Sequence, residues 1–240
     1  MNMFNQQINE TKAHNYQTFV AKNFLSNVFS WMSIALALTA VTAYYFGTDM
    51  GLMSLLYGET GMTTLGMIVA FAPLGLVLLM GFGVNKLSYP ALVLVFGIYS
   101  ILMGMSLSFI LLIYTAASVF KTFLITSLLF GVMALLGYTT KTDLTKFGSL
   151  LIMALIGIII ASVINMFMHS AQMDYIISFV GVLIFTGLTA YDVQKLKRIG
   201  GGIEYQDVDA NKLTIIGALT LYLDFINLFL FLLRFMGNRR

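Results

Sequence analysis

The sequence predicts an all-α membrane protein with seven transmembrane helices. The first ground is composition. Of 240 residues, 59% are hydrophobic and only 10% are charged, whereas a soluble domain carries about 25% charged residues. Mean hydropathy is +0.91. The second ground is that seven separate segments reach the roughly 20 mostly apolar residues a spanning helix needs. The third is that Lys and Arg gather in alternate connections, as they do in a polytopic chain.

The elements follow in order. Residues 1–23 are polar and read as an N-terminal arm, and they lack the short basic region and small-residue cleavage site of a secretory signal. The first apolar run is therefore expected to remain as a membrane helix, and residues 24–240 form one seven-helix domain. The spans run over 24–46, 62–83, 90–114, 119–138, 148–168, 174–194 and 213–235. Pro90 opens the third, where a missing N–H costs nothing. Pro73 lies inside the second and is expected to bend it. Ser100 and Gly104, four apart in the third span, predict a close helix contact. Gly200–Gly202 falls after the sixth span and reads as a flexible hinge.

Basic residues set the orientation. With the N-terminus in the cytoplasm, the inside segments hold Lys12, Lys22, Lys86, Lys141, Lys146, Lys195, Lys197, Arg198 and Lys212. The first outside loop holds Asp49 and Glu59, the third holds Lys121, and the fifth holds His169 and Asp174. Arg234, Arg239 and Arg240 break the pattern, because seven full crossings leave them outside. The last segment therefore either crosses against the rule or turns back.

Most acids lie in the arm, loops or helix ends. Two do not. Asp192 lies in the last turn of the sixth span, in FTGLTAYDVQKLK, and Asp224 lies midway along the seventh, in LYLDFINLFLFLLR. A charge near the bilayer centre costs about 2.5–3.5 kcal/mol on insertion scales, so such a residue faces the bundle interior and marks an ion or proton site. The structural alternative is a protonated carboxyl bonded to a neighbouring carbonyl. Asn165, Tyr191, Tyr222 and Asn227 are the candidate supporting polar residues. With these span limits Asp224 sits about 16 Å along its helix and Asp192 near the end of its own, so a depth mismatch separates them.

Other chemistries lack their residues. The chain has no Cys, which excludes disulfides, thiolate metal sites and cysteine nucleophiles. HExxH and GxSxG are absent, and neither His has an acid beside it for a triad. No enzyme activity, cofactor or nucleic-acid partner is expected. The pI of about 9.0 reflects basic loops.

GLTAYDVQKLK after a sixth span and LYLDFINLFLFLLR as a seventh resemble the signatures of the Bax inhibitor-1 family, the transmembrane Bax-inhibitor-motif proteins. GYTTKTDLTKFGSLLIMALIGIII, 137–160, is similar to the bacterial branch. The resemblance implies six helices around a central seventh, a bacterial inner membrane, and a pH-sensitive calcium leak. It also implies that Asp192 and Asp224 form the pH sensor and ion pathway, with calcium bound there only in passing. In the family an arginine of the second helix latches onto the sixth-helix aspartate; the span 62–83 here has no Lys or Arg, and Lys86 is the nearest base. Some bacterial relatives restrain a membrane ATP-dependent protease, which gives a second reading with the arm 1–23 as the handle. A proton-coupled transporter is a third.

The orientation has a direct test, because a single cysteine can be introduced into a chain that has none. A cysteine at Gly201 is expected to resist an impermeant thiol reagent added to intact cells and to react once the membrane is opened. Labelling from outside would reverse the topology.

Overall fold

A computed structural model describes residues 2–59, 61–202 and 208–239, with side chains described from residue 19 onward except at 203–209. Seven helices are long and apolar enough to cross a membrane. In order the elements are α1 (Asn2–Thr48), α2 (Met50–Leu56), a short hairpin of β1 (Tyr57–Gly58) and β2 (Gly61–Met62), α3 (Thr64–Gly83), α4 (Tyr89–Leu107), α5 (Ile110–Ile113), α6 (Ala116–Thr139), α7 (Thr145–Met168), α8 (Ala171–Gly201) and α9 (Val208–Met236).

Helix starts are set by side chains that accept from amides left free in the first turn. Thr63, Ser88, Thr115 and Ser170 cap α3, α4, α6 and α8 in this way. Pro90 sits in the first turn of α4, and Pro73 is buried within a continuous α3. The connection from α7 to α8 is very tight. His169 takes the left-handed conformation, with φ 52°, and Asn165 Oδ1 accepts from the Ser170 amide.

The third expected span is interrupted at Ser108 and Phe109, between α4 and α5, and the seventh starts five residues early, at Val208; the larger differences are at two ends. The first helix begins well before residue 24: α1 is continuous from Asn2, its apolar stretch starts at Phe19, and Val20 and Ala21 are already buried. The sixth does not stop at 194, because α8 runs to Gly201. Gly200 is thus no hinge. It lies in the helix, where a Cβ would meet Ala21 and Phe24 of α1, so its small size lets α1 cover the end of α8. The segment 203–207 lies outside the described residues.

α9 is the central helix. It packs against α1, α4, α6 and α8, while α3 packs mainly on α4 and α7 on α8. Burial follows this order: 67% of the apolar stretch of α9 and 56% of that of α8 are buried, against 17–33% for the other five. The remaining outward surface is apolar, as lipid contact requires.

Packing in lipid relies on close backbone approach at small residues. The expected Ser100/Gly104 contact is present: Thr39 Oγ1 of α1 donates to Ser100 O at 2.9 Å, and a Cβ on Gly104 would stand 2.6 Å from Thr39 O. Gly137 of α6 likewise lies directly on the Ala190 backbone of α8.

The last helix runs the full depth of the bundle. Its C-terminal end meets the start of α6 and the start of α8, with Thr115 N donating to Asn238 O at 3.2 Å. Arg234 and Arg239 both approach Asp174, at 3.5 and 3.8 Å. The basic C-terminus is therefore paired on the face opposite the N-terminal end of the first span.

Gly104→Leu is expected to push α1 from α4 and destabilise the bundle by about 1–3 kcal/mol, the usual cost of overpacking. Thermal unfolding in detergent measures it, and an unchanged midpoint would mean the contact is looser than described.

Candidate functional site

Asp192 and Asp224 face each other between α8 and α9. They are close enough to act on one another's charge. The depth mismatch expected from the sequence is absent, and the reason is the length of α8: nine residues, or about 14 Å, separate Asp192 from the helix end at Gly201. Only 9% of Asp192 and 5% of Asp224 is exposed. Two carboxylates can only accept, so a hydrogen bond between them requires a shared proton. Asp224 Oδ2 is buried, and no N–H or hydroxyl among the described residues donates to it.

Both acids line one cavity of about 500 Å³ between α7, α8 and α9. Its other polar liners are Ser162, Tyr191, Lys195, Thr220 and Asn227. Ser162 and Thr220 donate to carbonyls of their own helices. Asn227 Nδ2 donates to Leu223 O, which leaves its Oδ1 as an acceptor. Tyr191 is held by α7: a Cβ on Gly148 would strike its ring at 2.4–2.5 Å, so glycine there lets the ring lie flat on the helix. At the end nearer the C-terminal face, Phe185 and Phe231 stack at 5.7 Å and line the cavity with aromatic surface.

Two of the four supporting residues expected from the sequence are at this site and two are elsewhere. Tyr191 and Asn227 line the cavity. Asn165 does not; it ties the α7–α8 turn. Tyr222 points to the other side of α9, where its hydroxyl meets Thr39 Oγ1 at 2.7 Å. Because Thr39 spends its proton on Ser100 O, Tyr222 is the donor. Asp224 and Tyr222 are two residues apart, about 200° around a helix, so they cannot share a face.

Lys195 is the base of the site. It lies one turn from Asp192, lines the same cavity and acts on that carboxyl electrostatically. The second span, α3, packs on α4 and α2, so no latch comes from it. Among the described residues no group of three or more metal-ligating side chains is assembled.

Gln194, Lys197 and Arg198 of DVQKLKR fasten α8 to the end of α6 and the loop that follows it. Gln194 accepts from Leu144 N at 2.9 Å and donates to Thr142 O at 2.8 Å. Lys197 donates to Tyr138 O and lies over the Tyr138 ring, 4.6 Å from its centre. Arg198 pairs with Asp143 at 3.0 Å. Sequence reading passed over these roles, although the polar spacing on a helix end was visible.

The fold and site define a class: a multi-pass membrane protein whose two innermost helices bring a pair of carboxyl groups into a partly polar cavity. The family model described as "Inhibitor of apoptosis-promoting Bax1" matches residues 21–240. The chain belongs to that family, the Bax inhibitor-1 family. It is 46% identical over 220 residues to Inner membrane protein YbhL of Escherichia coli strain K12, covering 91% of this chain and 93% of that one. A protein of Borreliella burgdorferi is 45% identical over 225 residues, 93% and 96% of the two chains. One from Rickettsia prowazekii is 43% identical over 219 residues, 91% of each.

Asp143, in the loop, sits below the usual carboxylate range because the Thr145 hydroxyl and amide donate to it, with Arg198 adding to the effect. A depressed carboxyl stabilises the fold above its unfolded value and loses that contribution as pH falls through the folded one. Thr145→Ala is expected to move the Asp143 titration upward, and by more than Arg198→Gln does. Carboxyl-selective NMR against pH reads both, and an unmoved Asp143 in Thr145→Ala would remove the threonine from the clamp.

Proposed function

We propose that the chain is a pH-sensitive cation leak, with calcium as the permeant ion, in a bacterial inner membrane such as the one YbhL is named for. The observation that carries this reading is the meeting of Asp192 and Asp224 in a cavity that also holds Lys195 and Asn227. A polar cavity with buried carboxyl groups in the middle of a membrane bundle is where ion and proton pathways are found. Calcium takes six to eight oxygen ligands. Two carboxylates and an amide oxygen fall short of that number, which suits brief occupancy better than storage.

Proton and cation compete for the same oxygens. With a proton shared, the pair holds itself together and has little charge to offer. When both protons leave, the two carboxylates repel unless a cation stands between them. The pair titrates as a unit, so its apparent values belong to both residues. Lys195 supplies a positive charge from within α8, the role that an arginine on the second helix has in the family resemblance. The Phe185–Phe231 stack forms an apolar barrier between the pair and the C-terminal face, so passage requires α8 and α9 to shift at that level. No chemistry on a bound substrate is assigned to these residues, and the reading is non-enzymatic.

One second reading is an interaction protein that restrains a membrane ATP-dependent protease, with the polar N-terminal arm as its handle. Removing residues 1–18 separates the two: a leak survives the deletion, and a binding role does not. A proton-coupled transporter is distinguished by accumulation against a gradient.

The main test is calcium flux into liposomes holding only this protein, measured against pH. Asp192→Asn and Asp224→Asn are each expected to shift or abolish the pH midpoint, and the double change to add little. Asp224→Asn should lose most of the flux while remaining folded, since Asn is nearly isosteric. Lys195→Gln is expected to move the midpoint with the pair intact. A parent-like pH profile in Asp192→Asn would separate the two acids functionally and sink the coupled gate.

A further inference from the structure

We infer that the C-terminal face holds a second site, between α6 and the end of α9, that takes the phosphodiester of a membrane phospholipid. A cavity of about 510 Å³ lies there, lined by Lys121, Thr122, Ala117 and Asn238 together with the apolar Phe120 and Met236. Its chemistry is that of an anion site. Lys121 is exposed and pairs with no acid among the described residues, and no acid lines the cavity. The amides of Ala116 and Ala117 are the first two of a 24-residue helix. Neither is hydrogen-bonded among the described residues, because the Thr115 cap takes Ser118 N instead. Free amides at a helix start, aided by the helix dipole, favour a negative group.

A second observation stands apart from the helix start. Thr122 is 2% exposed, lines the cavity, and its hydroxyl has no partner among the described residues, although Thr126 one turn on bonds back to the Thr122 carbonyl. The hydroxyl is not sealed among protein atoms but opens onto the cavity, where a ligand oxygen can accept from it. The order of groups from the helix end inward is amides, then Lys121, then Thr122, all on the side of α6 that faces the cavity.

The surroundings select a lipid over a free anion. Phe120 and Met236 are 64% and 45% exposed on a surface that faces acyl chains. They give the cavity an apolar wall beside its polar floor, at the depth of the first two turns of a spanning helix. That depth is where headgroups lie. The site also accounts for Lys121, the one Lys or Arg that the orientation rule leaves at the outer face before the C-terminus: its charge neutralises a headgroup phosphate.

The test uses the purified full chain in detergent and native mass spectrometry. The probes are dioleoyl phosphatidylglycerol and dioleoylglycerol, which share acyl chains and differ in the phosphate. The parent is expected to retain phosphatidylglycerol and release dioleoylglycerol. Lys121→Gln should weaken retention at least about tenfold, as loss of a charge-assisted contact does. Lys121→Arg should keep it, and Thr122→Val should weaken it to a lesser degree. Unfolding midpoints equal to the parent's establish that the variants are folded. Equal retention of the two lipids, or of phosphatidylglycerol by Lys121→Gln and the parent, overturns the site. Displacement of phosphatidylglycerol by submillimolar inorganic phosphate overturns the lipid assignment in favour of a free anion.

Discussion

The burial of Asp192 and Asp224 between α8 and α9 constrains the whole bundle. A carboxyl group inside a membrane has no water to satisfy it unless the protein provides a route or a partner. Here both acids line one cavity, where α8 and α9 lie together along their middle turns. The other helices then shield this pair from lipid. α1 and α6 each pack on both α8 and α9, α4 closes on α9, and α7 covers the remaining side of α8. The burial order of the spans, with α9 first and α8 second, is the consequence.

Polar fastening is concentrated at the two faces. On one, Gln194, Lys197 and Arg198 tie α8 to the loop after α6. On the other, Asp174 gathers Arg234 and Arg239. Between them, apart from the carboxyl pair, the main side-chain link between helices is the Thr39–Tyr222–Ser100 set. The Tyr99 hydroxyl lies next to it, buried and unpaired among the described residues. A bundle pinned at both ends and packed by apolar contacts through its middle can change its central spacing without losing its ends. That suits the proposed leak, in which the charge of the pair changes with pH.

The helices were legible because lipid imposes length and hydropathy on each one. The two acids stood out because every other acid could be placed in water. Their meeting was not legible, since it depends on how far α8 continues past the apolar run. VQKLKRIG looks like a cytoplasmic connection by hydropathy. It is helix because Leu196 and Gly200 are buried against neighbouring elements while Lys197 and Arg198 reach outward to the adjacent loop. Tyr222 was misplaced for a related reason: nearness in sequence suggested support for Asp224, but helical rotation sends it to α1. Asn165 was chosen as a polar residue in a span, and it serves the turn at the span's end.

The clasp at Asp174 has a consequence for how the protein is made. During synthesis α8 is complete before α9 emerges, so Asp174 already waits on the far face when the last helix arrives. In the orientation that the basic loops predict, α9 then carries Arg234 and Arg239 across, against the usual preference for basic residues on the side of synthesis. An unpaired arginine there could let the helix slip back or settle only part-way. Capture by Asp174, with Arg239 also resting 6.0 Å over the Tyr114 ring, would hold the helix end in place once it has crossed. Loss of that carboxylate would show itself in nascent chains, as a mixture of orientations of the last helix, more than in the stability of molecules already assembled.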